Sequence, residues 1–260
     1  MKFAASKITV EIQNHKIINE LSLSLEQGEL VGLIGPNGAG KTTFLKAIIG
    51  AEKYVQGQLT LDGIPLKVLS QVVRAKTLAY LPQENAIEWQ LQARAVVMLG
   101  RFPYRRAFSP PSPNCERAVD HALETVNATP LAFRSLNSLS GGERALVLLA
   151  RTLAVEAPLI LVDEPITELD PYHQIHVMEI LKAKASEGVG ILAVLHDLTM
   201  AAQFMDRLIL INNGSVFAEG TPKEVLTKEN LEAVYRISPR QSYPTDNSIV
   251  LPWKIISKDT

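Results

Sequence analysis

The sequence predicts an α/β fold with a mainly parallel β-sheet, and three observations support this prediction. First, short apolar runs rich in Ile, Leu and Val recur at residues 29–35, 158–162, 190–195 and 207–211. Second, a helical pattern occupies residues 170–188, between the second and the third of these runs. Third, the first run leads through a glycine-rich loop into another helical pattern. Alternation of buried strands with helices is typical of a parallel sheet.

The N-terminal part of the chain has the pattern of strands separated by turns. KITVEI, residues 7–12, alternates between apolar and polar residues as a half-buried strand does. GQLTLDG, residues 57–63, is a short strand pattern between two glycines. The apolar run 29–35 lies between them and leads into the loop and its helix, so this part predicts the order strand, glycine loop, helix.

The middle of the chain has a different character. Helical periodicity dominates from about residue 84 to residue 150, interrupted by the proline-rich stretch FSPPSPN, 108–114, which we predict as loop. We therefore predict a helical subdomain, approximately 84–150, inserted into an α/β lobe formed by 1–83 and 151–235. Residues 236–260 are predicted as a C-terminal tail. No internal repeat is visible.

Composition limits the classes of protein to consider. A chain of 260 residues with 47% hydrophobic residues can bury the core of one large domain or of two closely joined lobes. Its net charge of −1 supplies no overall positive field for nucleic acid. The single cysteine, Cys115, cannot form an internal disulfide, which fits a reducing compartment. No apolar stretch reaches the about 18–20 residues of a membrane span, and the N-terminus lacks a secretory pattern, so we expect a cytoplasmic protein.

The glycine-rich loop carries the clearest chemical pattern. GPNGAGKT matches the spacing G-x-x-x-x-G-K-T, in which glycines let backbone N–H groups turn towards phosphates. Lys41 then reaches the β- and γ-phosphates, and the Thr42 hydroxyl helps to hold Mg²⁺. We call residues 35–43 the phosphate loop. Its predicted nucleotide-binding residues are Gly35, Pro36, Asn37, Gly38, Ala39, Gly40, Lys41, Thr42 and Thr43.

Polar residues at the ends of other apolar runs supply further candidates. Asp163 ends the run LILVD, where its carboxylate can lie near Mg²⁺, and Glu164 follows at a place suited to activating water. Taken alone, this acidic pair is equally a cap for the next helix. His196 and Gln83 also follow apolar strands, although a lone histidine is more often structural. In a parallel sheet, residues at the carboxyl ends of strands face the ligand crevice.

A second glycine pair begins a helical pattern about a hundred residues after the phosphate loop. With LSGGE at 139–143, which we call the signature segment, the motifs in chain order resemble those of the ATP-binding cassette (ABC) family. The other motifs are the phosphate loop, Gln83, LILVDE at 159–164, ELD at 168–170 and His196. The signature segment is the discriminating motif, since other phosphate-loop ATPases lack it, and together the motifs cover essentially the whole chain.

The resemblance implies a fold, an activity and roles for single residues. It implies one nucleotide-binding domain with a RecA-like phosphate-loop core, an N-terminal antiparallel β subdomain and the helical insertion. It implies ATP hydrolysis with Glu164 as catalytic base, assisted by His196, and ATP and Mg²⁺ as cofactors. By the same resemblance, Thr42, Gln83 and Asp163 are the residues at the metal.

The resemblance also accounts for the second glycine pair. In this family two nucleotide-binding domains face each other head to tail, so the signature segment of one closes over the γ-phosphate held by the other. Ser140, Gly141, Gly142 and Glu143 are thus expected to complete the site of a partner copy in a homodimer. Asp170 is expected to cross that interface.

Three departures from the family pattern accompany the match. The signature segment continues as Arg-Ala-Leu-Val at 144–147, where many relatives have Arg-Gln-Arg-Val. An aromatic residue for stacking on adenine is not evident, which leaves Ile12 or His15 as substitutes. Glu168 stands where relatives often have a small residue, and the sequence offers no physical account of it.

Two shorter stretches resemble one branch of the family. VVMLGRFPY at 96–104 and LTKENLEAVYRI at 226–237 are similar to ATPases that serve the uptake of iron-siderophore, haem and cobalamin. This implies an ATPase subunit at the cytoplasmic face of the cell membrane, working with permease subunits and indirectly with a periplasmic or extracellular binding protein, without nucleic acid. The alternatives are an exporter ATPase, a soluble ABC ATPase without transport function, and an inactive adaptor that only senses nucleotide, against which the intact Lys41, Asp163, Glu164 and His196 speak.

Residues 84–104 are the predicted contact with the permease. The segment carries two apolar anchors, Trp89 and Phe102, beside basic side chains. The basic residues are Arg101, Arg105 and Arg106. A solvated loop with one buried tryptophan is the alternative.

Overall fold

The computed structural model describes residues 1–83, 90–105, 109–242 and 249–255, with only the backbone described for 239–242 and 249–255. Its strands are β1 (Lys2–Ile12), β2 (His15–Glu26), β3 (Leu30–Ile34), β4 (Gln56–Leu61), β5 (Ile64–Pro65), β6 (Leu78–Leu81), β7 (Leu159–Asp163), β8 (Gly190–Val194), β9 (Arg207–Asn212), β10 (Ser215–Gly220), β11 (Ile237–Ser242) and β12 (Ile249–Ile255). Its α-helices are α1 (Lys41–Ile49), α2 (Gln71–Thr77), α3 (Ala93–Met98), α4 (Pro113–Thr125), α5 (Gly141–Leu153), α6 (Pro171–Ser186), α7 (Leu198–Phe204), α8 (Pro222–Val225) and α9 (Lys228–Tyr235). Short 3-10 helices occupy Leu66–Val68, Leu99–Tyr104, Thr129–Leu131 and Leu136–Ser138. Trp89 and Arg106 of the predicted permease contact lie outside the described residues.

The strands form a central sheet, a smaller sheet and a hairpin. The central sheet has the order β10–β9–β3–β8–β7–β6, in which all neighbours are parallel except β10 and β9. The smaller sheet, β2–β1–β4–β5, is antiparallel throughout. β11 and β12 pair as an antiparallel hairpin. The predicted mainly parallel sheet and the predicted N-terminal antiparallel β subdomain are both confirmed.

Strands of the central sheet divide their side chains between two cores. In β3, Val31 and Leu33 face a core shared with α1 and the smaller sheet, where Phe44 is fully buried. Leu30 and Ile34 of the same strand belong to the other core, which includes α5, α6 and α7. Because both faces of the sheet are covered, these strands read as continuous apolar runs. Each such buried side chain stabilises the fold by roughly 1.5–3 kcal/mol.

The parallel strands bring distant parts of the chain to one edge of the sheet. Leu33 of β3 and Asp163 of β7 both lie beside Val194 of β8 in the parallel register. The residues that follow these strands therefore emerge together, although they are far apart in sequence. This carboxyl edge is where open parallel sheets bind ligands.

Helices α3, α4 and α5 lie in the chain between β6 and β7, which are neighbours in the sheet. Buried side chains of all three helices, such as Val97, Val119 and Val147, belong to the core that covers one face of the sheet. The insertion is therefore packed on the lobe that it interrupts. Its predicted boundary at about 84–150 stays a prediction.

The proline-rich loop ends earlier than predicted. Residues 108–114 were expected to be loop, but α4 begins at Pro113. Ser112 caps this helix by accepting a hydrogen bond from the Cys115 N–H at 3.3 Å. Proline is favoured at the first helical position because its missing N–H has no helical partner there in any case. Cys115 thus lies buried in the first turn, as a free thiol.

The helices of the described part are short compared with a lipid bilayer. The longest of them, α6, has 16 residues, against the about 20 apolar residues that a membrane-spanning helix needs. In the part of the chain that the structure describes, no helix is both long and apolar enough to cross a membrane.

Candidate functional site

The phosphate loop connects the end of β3 to the start of α1. Lys41, the first residue of α1, is 6% exposed, and its Nζ donates to the carbonyl oxygens of Gly35 at 2.7 Å and Pro36 at 3.1 Å. Burial lowers the pKa of Lys41, while the negative charges of Glu164 and Asp163 raise it. The loop thus wraps around the ammonium group of Lys41. Phosphate oxygens carry negative charge and would accept hydrogen bonds from this group more strongly than the two carbonyl oxygens do.

Gly40 shows why this loop requires glycine. Its φ of 97° lies in the left-handed region, and a Cβ there would stand 2.5 Å from Ile18 Cδ1 and 2.9 Å from the Ile17 carbonyl oxygen. A side chain would therefore be strained in the backbone and would also collide with β2. The glycine allows the loop to pass close to β2 just before α1 begins.

Asp163 lies at the end of β7 and is 1% exposed. Its Oδ1 accepts a hydrogen bond from Thr42 Oγ1 at 3.1 Å, and its Oδ2 accepts one from the Tyr80 hydroxyl at 3.2 Å. Burial raises the pKa of Asp163, and the two donated hydrogen bonds oppose that rise. A buried carboxylate whose hydrogen bonds come from neutral hydroxyl groups is well suited to a cation.

Glu164 is hydrogen-bonded to two distant segments and to a residue three positions after it. One carboxylate oxygen pairs with His196 Nε2, and the other accepts from Gln83 Nε2 at 2.6 Å and from Thr167 Oγ1 at 3.2 Å. Its backbone has a φ of 51°, which costs a non-glycine residue of order 1–3 kcal/mol and is typical of functional sites. No helix begins directly after the Asp163–Glu164 pair, so the alternative of an acidic helix cap does not apply: α6 begins at Pro171.

A cleft of about 250 Å³ lies between the phosphate loop and the pair Glu164–His196. Its lining consists of Ile17, Asn37, Gly38, Gly40, Lys41, Thr42, Thr43, Glu164 and His196. Cavities of about 330 and 650 Å³ are larger, but they are lined by α4 and its neighbours. Ile17 of β2 was not among our candidates, which were Ile12 and His15 for the adenine contact. It adds an apolar side chain at the rim of the phosphate loop.

The donor set around Asp163 fits a Mg²⁺ ion. Mg²⁺ prefers hard oxygen ligands and is usually bound through one or two carboxylates together with phosphates. The carboxylate of Asp163 and the hydroxyl of Thr42 are of this kind, and so is the amide oxygen of Gln83, whose Nε2 donates to the adjacent Glu164. The hydrogen bond from Thr42 to Asp163 already brings two of these groups together.

The signature segment lies away from this cleft. α5, which it begins, packs in the core on the face of the central sheet opposite to α1. Ser140 caps α5: its Oγ accepts from the Glu143 N–H at 3.2 Å, and Glu143 Oε2 accepts from the Ser140 N–H at 2.9 Å. Asp170, also predicted as a site residue, caps α6 by accepting from the His173 N–H at 3.0 Å. The structure brings these two helix starts near each other rather than to the phosphate loop.

The two glycines of the signature segment have different surroundings. A Cβ on Gly142 would lie 2.6 Å from three ring atoms of His173, so this position has no room for a side chain. A Cβ on Gly141 would meet nothing within 4 Å. Within the described residues, sterics thus explain Gly142 but not Gly141.

Comparison with known proteins decides the family. The model of the family described as ABC transporter matches residues 18–167, from β2 through the signature segment to the residues after Glu164. The chain belongs to the ABC transporter family. The predicted family, the fold class and, with them, the ATPase class of the chain are confirmed.

Curated relatives within the ABC transporter family point to one branch. The chain is 38% identical over 245 residues to the "Hemin import ATP-binding protein HmuV" of Bordetella avium, covering 91% of this chain and 93% of the relative. It is 36% identical over 236 residues to the "Cobalamin import ATP-binding protein BtuD" of Halobacterium salinarum. In that match it covers 90% of its own length but spans only 59% of the relative's length. The predicted likeness to the metal-chelate branch is confirmed.

Solved structures of ABC transporters agree. A putative metal-chelate type ABC transporter in an inward-facing conformation superposes with a TM-score of 0.84 at 25% identity, covering 97% of both chains. A dimeric bacterial ABC transporter cassette superposes with a TM-score of 0.74 at 27% identity, covering 85% of this chain and 98% of that one. The roles of single site residues in this ABC chain stay predictions.

Proposed function

We propose that the chain is the ATP-hydrolysing subunit of an importer for a metal chelate, namely ferric siderophore, haem or cobalamin. In this proposal it works at the cytoplasmic face of the cell membrane beneath separate permease subunits, and a binding protein outside the membrane delivers the cargo. The named relatives, which are haem and cobalamin import proteins, support this choice of cargo class. The stretch 96–104, VVMLGRFPY, supports it independently.

The cleft at the phosphate loop is the proposed site of ATP and Mg²⁺. Lys41 exchanges its two carbonyl acceptors for phosphate oxygens, while Asn37, Gly38 and Gly40 line the path of the phosphates. Thr42, Asp163 and Gln83 hold Mg²⁺, which neutralises charge on the phosphates. ATP is expected to bind poorly without Mg²⁺, because Asp163 and Glu164 then face the triphosphate uncompensated.

Glu164 is the proposed base for the attacking water. The observation that carries this part is the convergence of His196, Gln83 and Thr167 on its carboxylate beside Lys41. A carboxylate held by three partners has a defined orientation, and orientation is what a base requires first. Gln83 also links this carboxylate to the start of the insertion, which makes it the proposed connection to the permease.

A homodimer is the proposed working unit. Gly141 stands at an exposed helix start with open space where its side chain would be. Glycine at this point is explained by close approach of another molecule, and the phosphates held by a second copy fit a helix N-terminus. The similar dimeric cassette supports this arrangement. Ser140, Gly141, Gly142 and Asp170 therefore act in the interface between copies.

The proposed permease contact is the predicted segment 84–104, through its 3-10 helix Leu99–Tyr104, and we extend it to the neighbouring helix α2. It includes Val72, Val73, Leu99 and Phe102, and Phe102 is 73% exposed. Lys76 of α2 lies 4.5 Å from the centre of the Tyr104 ring and ties the two elements together. Exposed apolar side chains on neighbouring elements are a common feature of protein interfaces.

The experiment that tests the proposed function uses Glu164→Gln. This variant is expected to bind ATP with Mg²⁺ but to hydrolyse it at least about 10²-fold more slowly, the usual contribution of a positioned base. Uptake of labelled ferric chelates, haem and cobalamin is then compared in the source organism with either form. Glu124→Gln, which changes an exposed carboxylate in the last turn of α4, is the matched control. Loss of uptake for one cargo identifies it; unchanged uptake of all three overturns the proposed cargo class.

A further inference from the structure

We propose that His173 is a positioning residue that locks the start of α5 to the start of α6, so that the signature segment and Asp170 move as one unit. The proposal rests on the proposed role of the signature segment in the partner copy's ATP site. It goes further by naming a residue outside every family motif as the link between two parts of the dimer interface.

His173 is tied to Asp170 twice. Its backbone N–H donates to Asp170 Oδ1 at 3.0 Å, and its ring Nδ1 lies 2.6 Å from Asp170 Oδ2. The edge of the Tyr172 ring lies against the histidine ring at 5.3 Å between centres. Both carboxylate oxygens of Asp170 are therefore engaged by one residue, which fixes the direction in which this exposed side chain points.

The same ring fixes the signature segment. The Cα of Gly142 lies so close beneath it that a Cβ would stand 2.6 Å from Cγ, Nδ1 and Cδ2. The ring thus lies against the first turn of α5 on the side away from solvent, where Gly142 is buried and Gly141 is exposed. Glu143, the residue after Gly142, is held separately by Arg134, whose guanidinium donates to Glu143 Oε1 at 3.2 Å.

These contacts have a consequence for a dimer. A shift of Asp170 on contact with the partner copy carries His173 with it, and a shift of His173 moves Gly142, because no gap separates them. When Asp170 at the start of α6 docks on the partner copy, the signature segment at the start of α5 is therefore moved into position as well. Without the ring, each helix start adjusts independently, and the signature segment meets the partner's phosphates in the wrong place; a displacement of about 1 Å can cost a site about 10²-fold in rate.

The test compares His173→Ala with His176→Ala, which removes a histidine one turn further along α6 that stacks on Tyr172. Both substitutions are made in the parent chain for the measurements of ATP binding and hydrolysis. They are also made in the Glu164→Gln variant for the measurement of dimer formation. We expect His173→Ala to leave the affinity of the monomer for a fluorescent ATP analogue unchanged, because His173 is not among the residues that line the cleft at the phosphate loop. In the Glu164→Gln background, we expect His173→Ala to raise the ATP concentration required for dimer formation by about tenfold or more. In the chain that retains Glu164, we expect it to slow ATP hydrolysis by the same factor. His176→Ala should do neither.

A double-mutant cycle supplies a second readout. Gly142→Ala should lower the urea midpoint in the parent chain, but much less in His173→Ala, because removing the ring makes room for the methyl group. Equal effects in both backgrounds overturn the inferred contact. Dimer formation is compared between Glu164→Gln and the double variant Glu164→Gln/His173→Ala. If both dimerise at the same ATP concentration, the positioning role of His173 is wrong and the proposed function stands. If Glu164→Gln itself never dimerises with ATP, the proposed partner site fails, and the positioning role fails with it.

Discussion

The hydroxyl of Tyr80 donates a hydrogen bond to Asp163 Oδ2 at 3.2 Å, across two neighbouring strands of the central sheet. Burial and the adjacent negative charge raise the pKa of Tyr80, so the hydroxyl keeps its proton. Together with Thr42 it orients a carboxylate that is almost fully buried. The protein thus holds a charge in place before any cation neutralises it, and this has a cost in stability.

Asp163→Asn should therefore stabilise the nucleotide-free chain at neutral pH. The pKa of Asp163 is raised above 3.8 in the folded state, so the folded state binds this proton more tightly than the unfolded state does. Stability from this group is present at low pH and is lost as pH rises through the folded pKa. The gain from asparagine should then shrink as pH falls towards 3.8. Urea unfolding across this pH range checks it, with the exposed Asp62→Asn as control; a variant less stable than the parent at neutral pH contradicts it.

Lys41→Ala should weaken ATP binding by roughly 10- to 150-fold, because hydrogen bonds to charged groups contribute about 1.5–3 kcal/mol. The fold itself should persist, since the lysine now bonds only to two loop carbonyls. Titration with a fluorescent ATP analogue measures the change. Lys53→Ala, which removes an exposed lysine after α1, should bind like the parent. Equal affinities for Lys41→Ala and the parent would sink the phosphate-loop assignment.

Gly40→Ala should destabilise the chain more than Gly38→Ala. Both glycines have positive φ, of 97° and 80°, so both substitutions strain the backbone, by roughly 1 kcal/mol or more each. Only at Gly40 does the new methyl also meet Ile18 and the Ile17 carbonyl, whereas Gly38 has open space around it. The difference between the two urea midpoints isolates the steric part. Equal midpoints for the two variants would contradict this prediction, because they would mean that β2 moves away from the new methyl group at no cost in free energy of unfolding.

Arg101→Met should lower the free energy of unfolding by about 1–3 kcal/mol, because it leaves the buried Ala154 carbonyl oxygen without its donor, whereas Glu156 is more than half exposed and is solvated by water. The Arg101 guanidinium is 4% exposed and donates to the Ala154 carbonyl oxygen at 2.6 Å and to Glu156 at 2.7 Å. It thereby ties the 3-10 helix of the permease surface to the end of α5. Chemical unfolding measures the loss. The surface variant Arg117→Met should change stability little, and a similar effect of both would refute a specific tether.

The order strand, loop, helix at residues 30–49 could be predicted because both its signals are local. Continuous apolar residues mark a strand covered on both faces, and the glycine spacing marks the turn. The same holds for Asp163 at the end of β7. These features depend on residues that are neighbours in sequence, so they can be predicted without knowledge of the fold.

Tyr80, His173 and Ile17 were missed because their importance comes from contacts between distant segments. Tyr80 is an ordinary strand residue until β6 is known to lie beside β7. His173 stands three residues after a capping Asp170, which predicts a helix start, yet nothing local places α5 against its ring. The start of α4 had a local signal, serine followed by proline, that could have been used.

The position of β3 in the sheet determines when the nucleotide site can form during synthesis. Its two neighbours, β8 and β9, lie at residues 190–194 and 207–212, so β3 emerges from the ribosome long before either of them. Until then, an entirely apolar strand has two open edges, which is a template for aggregation. The edges of β3 can therefore be paired only late in translation, and the nucleotide site can form only once β8 has entered between β3 and β7.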